Sequence, residues 1–238
     1  MVKPTRTNAQ DPFRWRSLIV KPEEILKQVA LEVSACIKCD LHYSRKNAVP
    51  GEGPATAEIL FIGEGPGFHE NEQGRPFVGA AGKYLEELLA NVGMERSEVF
   101  IANVVKCRPP GNRDPLPGEL AACSEYLERQ IQAINPRVIV TLGRYSMARF
   151  LPNAKIGDIH GQALFIRGRL IVAMYHPAAA LHQHSLKATI EYDFARLPDM
   201  ITRARSGLST NNPSVEQPLD YEETPVEEKK EPKQLSLF

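Results

Sequence analysis

Residues 59–67 read ILFIGEGPG, an apolar run that passes directly into a loop of glycine, proline and glutamate. Consecutive large apolar residues with β-branched members are typical of a buried strand in a parallel sheet. The glycines of the loop allow its backbone to approach another group closely, because they carry no Cβ. The stretch therefore predicts a central strand with a candidate ligand-binding loop at its carboxyl end.

Three further apolar runs complete a predicted sheet. The four predicted strands are Glu58–Ile62, Val99–Val105, Arg137–Leu142 and Leu170–Met174. Helical stripes of apolar residues lie between them, one ended by Gly93 and another by Pro136. Alternation of strands and helices predicts an α/β fold with a parallel sheet and right-handed crossovers.

Polar residues follow each predicted strand at the point where it ends. They are the GEGPG loop, Asn103 with Lys106, Gly143-Arg144, and the YHP triplet at 175–177. Open parallel sheets bind ligands outside the carboxyl ends of their strands, so these residues define the candidate site. The GEGPG loop is neither a P-loop nor a G-x-G-x-x-G fingerprint, and a plain strand-to-helix turn is its alternative interpretation.

Composition restricts the classes of protein that the chain can represent. The 238 residues are 42% hydrophobic, and no apolar run reaches the roughly 20 residues that span a membrane. The polar N-terminus has no secretory signal, so we expect a cytoplasmic protein. Net charge is zero, but residues 206–238 carry three Lys against seven Asp or Glu. The basic remainder is compatible with nucleic-acid binding, and equally with no special partner.

The change in composition along the chain predicts four segments. Residues 1–22 are expected to form a loose N-terminal arm, and 23–205 a single folded domain. Residues 206–233 are rich in Ser, Asn, Pro and Glu and are predicted to be a disordered acidic linker. Residues 234–238, QLSLF, form a separate apolar peptide after that linker.

The four cysteines form two pairs. Cys36 and Cys39 are spaced C-x2-C, and Cys107 and Cys123 are spaced C-x15-C. In a reducing compartment such thiols are more often metal ligands than disulfides. A combined site could hold zinc or an iron–sulfur cluster, and the spacing does not separate the two. Four unconnected buried thiols remain the alternative.

Three side chains near the predicted strand ends are candidates for ligand binding. Phe77 lies in GRPFVG and is either a core residue or a ring that stacks on a base. Asn103 interrupts an apolar run, so its buried amide either bridges loops or reads a planar heterocycle. His176 is either structural or a side chain that Pro177 holds in a fixed place.

The combination of motifs resembles one known family. GEGPG, GRPFVGAAG, NVVKCRPPGNRDP and YHPAAAL, with four cysteines in this order, resemble the family-four iron–sulfur uracil-DNA glycosylases. The resemblance implies a three-layer α/β/α sandwich with a central four-stranded parallel sheet. It also implies a structural [4Fe-4S] cluster held by Cys36, Cys39, Cys107 and Cys123. The related group that traps uracil-DNA covalently has a basic insertion with a histidine nucleophile. This insertion is absent from CRPPGNRDPLPGE, and its absence favours ordinary hydrolysis here.

The resemblance implies a uracil pocket and a set of catalytic groups. The implied uracil-binding residues are Gly63, Glu64, Gly65, Phe77, Asn103 and His176. His176 would donate toward uracil O2, and either Glu64 or Glu70, with Glu64 preferred, would position the attacking water. Leu181 would enter the DNA as a wedge behind the flipped base.

The peptide QLSLF resembles the pentapeptide with which bacterial enzymes bind the replicative sliding clamp. Its binding residues would be Gln234, Leu235, Leu237 and Phe238, and a chance apolar segment is the alternative. We therefore expect a monomeric, monofunctional uracil-DNA glycosylase that starts base excision repair on double- and single-stranded DNA in bacteria. A non-catalytic DNA- or clamp-associated protein of the same fold, and a zinc-containing α/β nucleotide-binding protein, are the alternatives.

Overall fold

The computed structural model describes residues 20–206 of the chain. This part folds around one five-stranded sheet in the order β2-β1-β3-β5-β4. The strands are β1 (Ile59–Gly63), β2 (Phe100–Asn103), β3 (Val138–Leu142), β4 (Gln162–Ile166) and β5 (Arg169–Met174). The predicted clamp-binding residues 234–238, and nearly all of the predicted arm and linker, lie outside the described residues.

The four predicted strands are confirmed and pair in parallel. β1 lies between β2 and β3, and β5 pairs with the other edge of β3. The structure adds β4, which is antiparallel to β5 and was not predicted. β4 is an edge strand with only partial burial, and its short apolar run ALFI was not recognised as a strand in the sequence. Arg167 and Gly168, both with positive φ, form the two-residue turn that joins it to β5.

Helices cover both faces of the sheet, and the two that the sequence predicts to end near Gly93 and Pro136 are present. Pro22 begins the first helix, and Asn135 ends the fifth in a left-handed conformation directly before Pro136. Their bounds are α1 (Pro22–Ala35), α2 (Leu41–Ser44), α3 (Phe68–Gln73), α4 (Ala80–Asn91), α5 (Pro117–Ile134), α6 (Arg144–Ala148), α7 (Ile156–Ile159), α8 (Pro177–His182), α9 (Leu186–Ala195) and α10 (Leu197–Arg205).

The alternation of side chains along β1 creates two cores. Phe61 packs toward α4 and α9 in one apolar cluster, while Leu60 packs toward α5 in another. A third, smaller cluster lies under α1 and includes Val29, Val33 and two of the cysteines. The resulting three layers hold the sheet rigidly, and its parallel strands all end at one edge. Within residues 20–206, no helix has the length and apolar character needed to cross a membrane.

Candidate active site

Parallel pairing brings the predicted site residues to one edge of the sheet. Gly63 and Asn103 are direct partners at the carboxyl ends of β1 and β2. Glu64 and Gly65 follow at once, and the Glu64 carbonyl accepts a hydrogen bond from Val105 N–H at 3.1 Å. The glycine-rich loop is therefore attached to the turn that follows β2. β5 ends at the same edge of the sheet and is followed there by His176.

The side chains of Asn103 and Phe77 lie directly over Gly63 and, with that of His176, form the candidate slot. A Cβ added to Gly63 would lie 2.4 Å from Asn103 Oδ1 and 2.7 Å from the Phe77 ring. Asn103 is only 2% exposed, and within the described part of the chain its Oδ1 has no hydrogen-bond donor. A buried acceptor without a partner is unfavourable, so this oxygen is suited to an N–H supplied by a ligand.

Phe77 and His176 form the wall of the slot. Their ring centroids are 5.4 Å apart, and the planes differ by 26°. Phe77, Asn103 and His176, which are distant in sequence, are thus brought together as predicted. Two aromatic planes beside an unpaired amide oxygen can hold a small flat heterocycle by stacking and edge hydrogen bonds.

The backbone of Phe77 is held in a conformation that non-glycine residues seldom adopt. Its φ is +51°, and Arg96 Nη1 donates to its carbonyl at 2.9 Å. Arg96 Nη2 also donates to the Pro76 carbonyl, so one guanidinium fixes both peptides. Gly82 completes this support, because a Cβ there would lie 2.0 Å from Phe77 O. Sequence reasoning missed Arg96, since an arginine in a charged surface segment carries no distinguishing signal.

His176 is oriented by the first turn of α8. Its Nδ1 accepts a hydrogen bond from Ala178 N–H at 3.1 Å, which assigns the ring proton to Nε2. Burial lowers the pKa of His176 from 6.5 to about 4, and the charge of Glu70 opposes this shift. The ring is therefore neutral at pH 7 and presents one N–H donor.

Glu70 is occupied by the backbone of the loops around it. Its Oε1 accepts from the N–H groups of Val78 and Gly79 at 2.9 and 2.8 Å. Its Oε2 accepts from Gly67 N–H at 3.1 Å. Glu70 thus joins the GEGPG loop to the GRPFVG loop, which is a positioning role rather than that of a free base.

Glu64 has the opposite environment. In residues 20–206 its carboxylate accepts no hydrogen bond, and the side chain is half-buried. Burial raises the pKa of Glu64, the negative charge of Asp114 raises it further, and Arg144 opposes both. Asp114 and Arg144 form an ion pair beside it. Of the two carboxylates singled out from the sequence, Glu64 is the one available to a ligand or water.

Leu181 lies on α8, the helix that His176 begins, and is 46% exposed. It is one of the few large apolar side chains that face solvent in the described region. A second exposed apolar side chain, that of Phe68, lies under the guanidinium of Arg108, which is 5.3 Å from the centroid of its ring. The sheet edge that carries the slot therefore also carries exposed apolar side chains with a basic neighbour.

The four cysteines line a single cavity between α1 and α5. Cys36 caps α1, while Cys123 lies in α5, and none of the four cysteines forms a disulfide. No group of three or more His, Cys, Asp or Glu side chains within residues 20–206 meets the geometry for one metal ion.

The donors around the thiols fit a bound thiolate centre. Arg45 Nη1 donates to Cys107 Sγ at 3.3 Å, and Lys106 N–H donates to Cys123 Sγ at 3.2 Å. Burial raises the pKa of the Cys123 thiol to about 11, and Lys106 opposes this. A metal centre would provide the positive charge that ionises these buried thiols, and the donors already present would stabilise the resulting thiolates.

Comparisons with known proteins agree on one family. The family model described as the uracil DNA glycosylase superfamily matches residues 50–196. A type-4 uracil-DNA glycosylase of Sulfurisphaera tokodaii is 46% identical over 187 residues, which cover 74% of this chain and 84% of that protein. The type-4 uracil-DNA glycosylase of Archaeoglobus fulgidus is 45% identical over 195 residues, 78% of this chain and 98% of that protein. That of Thermotoga maritima is 44% identical over 166 residues, 68% of this chain and 86% of that protein.

We expect His176 to be neutral at pH 7, with its proton on Nε2 and a titration midpoint near pH 4. Between pH 6.5 and about 4 the unfolded chain binds a proton that the folded chain does not, so this residue lowers stability as pH falls through that window. Nitrogen-15 NMR of the ring checks the tautomer and the midpoint, with His176→Gln to assign the signals. A midpoint at or above 6.5 would contradict the assignment.

Proposed function

The chain belongs to the uracil DNA glycosylase superfamily, and we propose that it hydrolyses the N-glycosidic bond of deoxyuridine in DNA as a monomer. One observation supports this most strongly: within residues 20–206 the buried Asn103 Oδ1 has no hydrogen-bond partner, and it lies over Gly63 beside the Phe77 ring, whose centroid is 5.4 Å from that of His176. Release of uracil from DNA is the first step of base excision repair.

Asn103 and Phe77 select the base. A deoxyuridine in a duplex must leave the stack before it can enter the slot. Phe77 then stacks on the uracil face, while Asn103 Oδ1 accepts the N3–H that uracil has and cytosine lacks. Cytosine would leave this buried oxygen unpaired, and such a mismatch is the strongest form of discrimination that a site can make. Gly63 and Gly65 keep the backbone close to the base.

His176 stabilises the leaving uracil. As the bond between the sugar and N1 breaks, negative charge develops on uracil, chiefly at O2. The Nε2–H of His176 donates to that oxygen, and a fixed donor of this kind is worth about 3–4 kcal/mol. Because the ring is neutral and already oriented by Ala178 N–H, it needs no proton transfer to act.

Glu64 positions the water and stabilises the cationic sugar. Its carboxylate must be ionised for both tasks, and its raised pKa means that activity falls on the acid side at a higher pH than for an ordinary glutamate. Leu181 occupies the space left by the flipped nucleotide, which an exposed apolar side chain on α8 suits.

Single-turnover assays of uracil release test the proposal and separate the two carboxylates. We expect release from U:G, U:A and single-stranded oligonucleotides, and a loss of about 100-fold or more in Glu64→Gln at unchanged stability. Glu70→Gln instead keeps one acceptor oxygen and turns an NH2 donor toward at least one of the three backbone N–H groups, so its melting temperature falls together with its activity.

Equal, small losses in both variants would show that neither carboxylate acts on the water. Absence of uracil release by the wild-type protein, with oligonucleotide binding retained, would favour the non-catalytic alternative instead.

We propose that Cys36, Cys39, Cys107 and Cys123 hold a structural [4Fe-4S] cluster. The cavity that all four thiols line supports this assignment, as does the likeness to type-4 enzymes. Bound there, the cluster would fasten α1 and α5 to the segment that follows β2. A single zinc ion is the alternative, and it requires four sulfurs within about 2.3 Å of one point.

We expect the purified protein to be brown, with broad absorbance near 400 nm and about four iron and four sulfide per chain. Removal of the cluster by a chelator should lower the melting temperature, because α1 then loses its attachment. Metal analysis beside the visible spectrum is the measurement. A colourless protein with one zinc per chain would establish the alternative.

We propose that residues 234–238 bind a bacterial sliding clamp. The support is the sequence QLSLF, in which Gln234 can hydrogen-bond while Leu235, Leu237 and Phe238 fill an apolar pocket. An acidic linker rich in Pro and Ser would keep the folded domain near the clamp at high effective concentration.

Deletion of residues 234–238 should abolish capture by an immobilised bacterial sliding clamp and leave uracil release from free oligonucleotides unchanged. The matched control replaces Ser236, which the motif does not use, by Ala. Capture that survives the deletion would place the clamp-binding surface elsewhere.

A further inference from the structure

Lys106 is a buried cation that the proposed chemistry does not use. It follows β2, is 1% exposed, and forms no ion pair with an Asp or Glu of residues 20–206. Its Nζ donates to the Asn103 carbonyl at 2.9 Å and to Gln130 Oε1 at 2.7 Å. Both partners are neutral oxygens, so the ammonium needs a negative charge from elsewhere.

The cysteine cavity is the available source of that charge. Lys106 lines the cavity together with the four thiols, and its backbone N–H donates to Cys123 Sγ at 3.2 Å. Thiolates bound to a metal centre would place negative charge beside a cation that has no carboxylate. The same residue therefore contacts the cysteine site through its backbone and Asn103 through its side chain.

Asn103, whose carbonyl accepts from Lys106, is also the residue proposed to recognise the base. Asn103 ends β2, and the chain after it remains joined to the glycine-rich loop, because Val104 N–H donates to Gly63 O at 3.0 Å. The Lys106 ammonium holds the Asn103 carbonyl on the same short turn. Fixing that carbonyl fixes the peptide from which the amide side chain extends into the slot.

We propose that Lys106 is a positioning residue that couples the cysteine site to base recognition by holding Asn103 at the angle the slot requires. Gln130 completes the support, because its Nε2 donates to the Pro50 carbonyl and so anchors the ammonium to α5 and to the segment before β1. The inference rests on the proposed function of Asn103. It connects the cysteine site to the uracil slot through the contacts of Lys106.

Lys106→Met keeps the length of the side chain and removes its charge and donors. In this variant we expect KM and the inhibition constant of free uracil to rise about tenfold, with a smaller change in kcat. Iron content should stay at the wild-type level while the cluster bleaches faster with a chelator. The matched control is Lys27→Met, an exposed lysine on α1, which should match the wild type in every measurement.

Hydrogen exchange provides a readout that does not depend on uracil. Lys106→Met should speed exchange of the Val104 and Val105 amides, which bond to Gly63 and Glu64, and leave the Val140 amide in β3 unchanged. If the wild type does not bind uracil but these amides respond, the proposed function fails and the positioning role stands.

Wild-type uracil affinity and wild-type exchange in Lys106→Met would overturn the inference. Should that variant not fold, Gln130→Met removes one of the two acceptors of the ammonium and should shift both readouts in the same direction by a smaller factor. No shift in a folded Gln130→Met protein would likewise overturn it.

Discussion

The parallel pairing of β1 with β2 is the constraint on which the site depends. It sets Gly63 opposite Asn103 at the last position of the ladder, so the glycine-rich loop and the buried amide leave the sheet together. Gly63 has no side chain, and the space above it is shared by the Asn103 amide and the Phe77 ring. Because both faces of β1 are covered, a one-residue shift of register would exchange its side chains between two differently packed cores and is strongly disfavoured. The geometry of the slot thus follows from the packing of the core.

The sequence predicted the parts of this arrangement that have a local signal. Apolar runs located the four parallel strands, and the polar residues after them located the site, because strand ends of a parallel sheet must converge. Edge strand β4 was missed, because its four-residue apolar run is short and does not by itself distinguish a strand from other structure. Arg96 was missed as well, because its role depends on two carbonyls about twenty residues away. Long-range contacts of this kind produce no local sequence pattern from which they could be predicted.

The choice between Glu64 and Glu70 likewise depends on contacts that the sequence does not reveal. Both are glutamates in one glycine-rich segment, and their sequence surroundings do not separate a free carboxylate from a bonded one. In the structure Glu70 accepts three backbone N–H groups, while Glu64 lies beside the Asp114–Arg144 pair. The difference arises from the folding of the loops around Glu70. Glu70, whose carboxylate holds the loops together, is therefore not available to take part in a reaction, whereas the carboxylate of Glu64 is available.

The distribution of charge in the slot agrees with a reaction that separates charge. Breaking the bond to N1 places negative charge on the base and positive charge on the sugar. A bare carboxylate near the base would oppose this, but the negative charge of Glu70 is spread over three N–H donors. His176 would face the base as a neutral donor, because burial outweighs the effect of the Glu70 charge on its pKa. Within residues 20–206 the Glu64 carboxylate has no such donors, and this suits the proposed stabilisation of positive charge. Glu64 and Glu70 thus lie within a few residues of each other but differ in availability, because the backbone N–H groups of the glycine-rich loops bind the carboxylate of Glu70 and not that of Glu64.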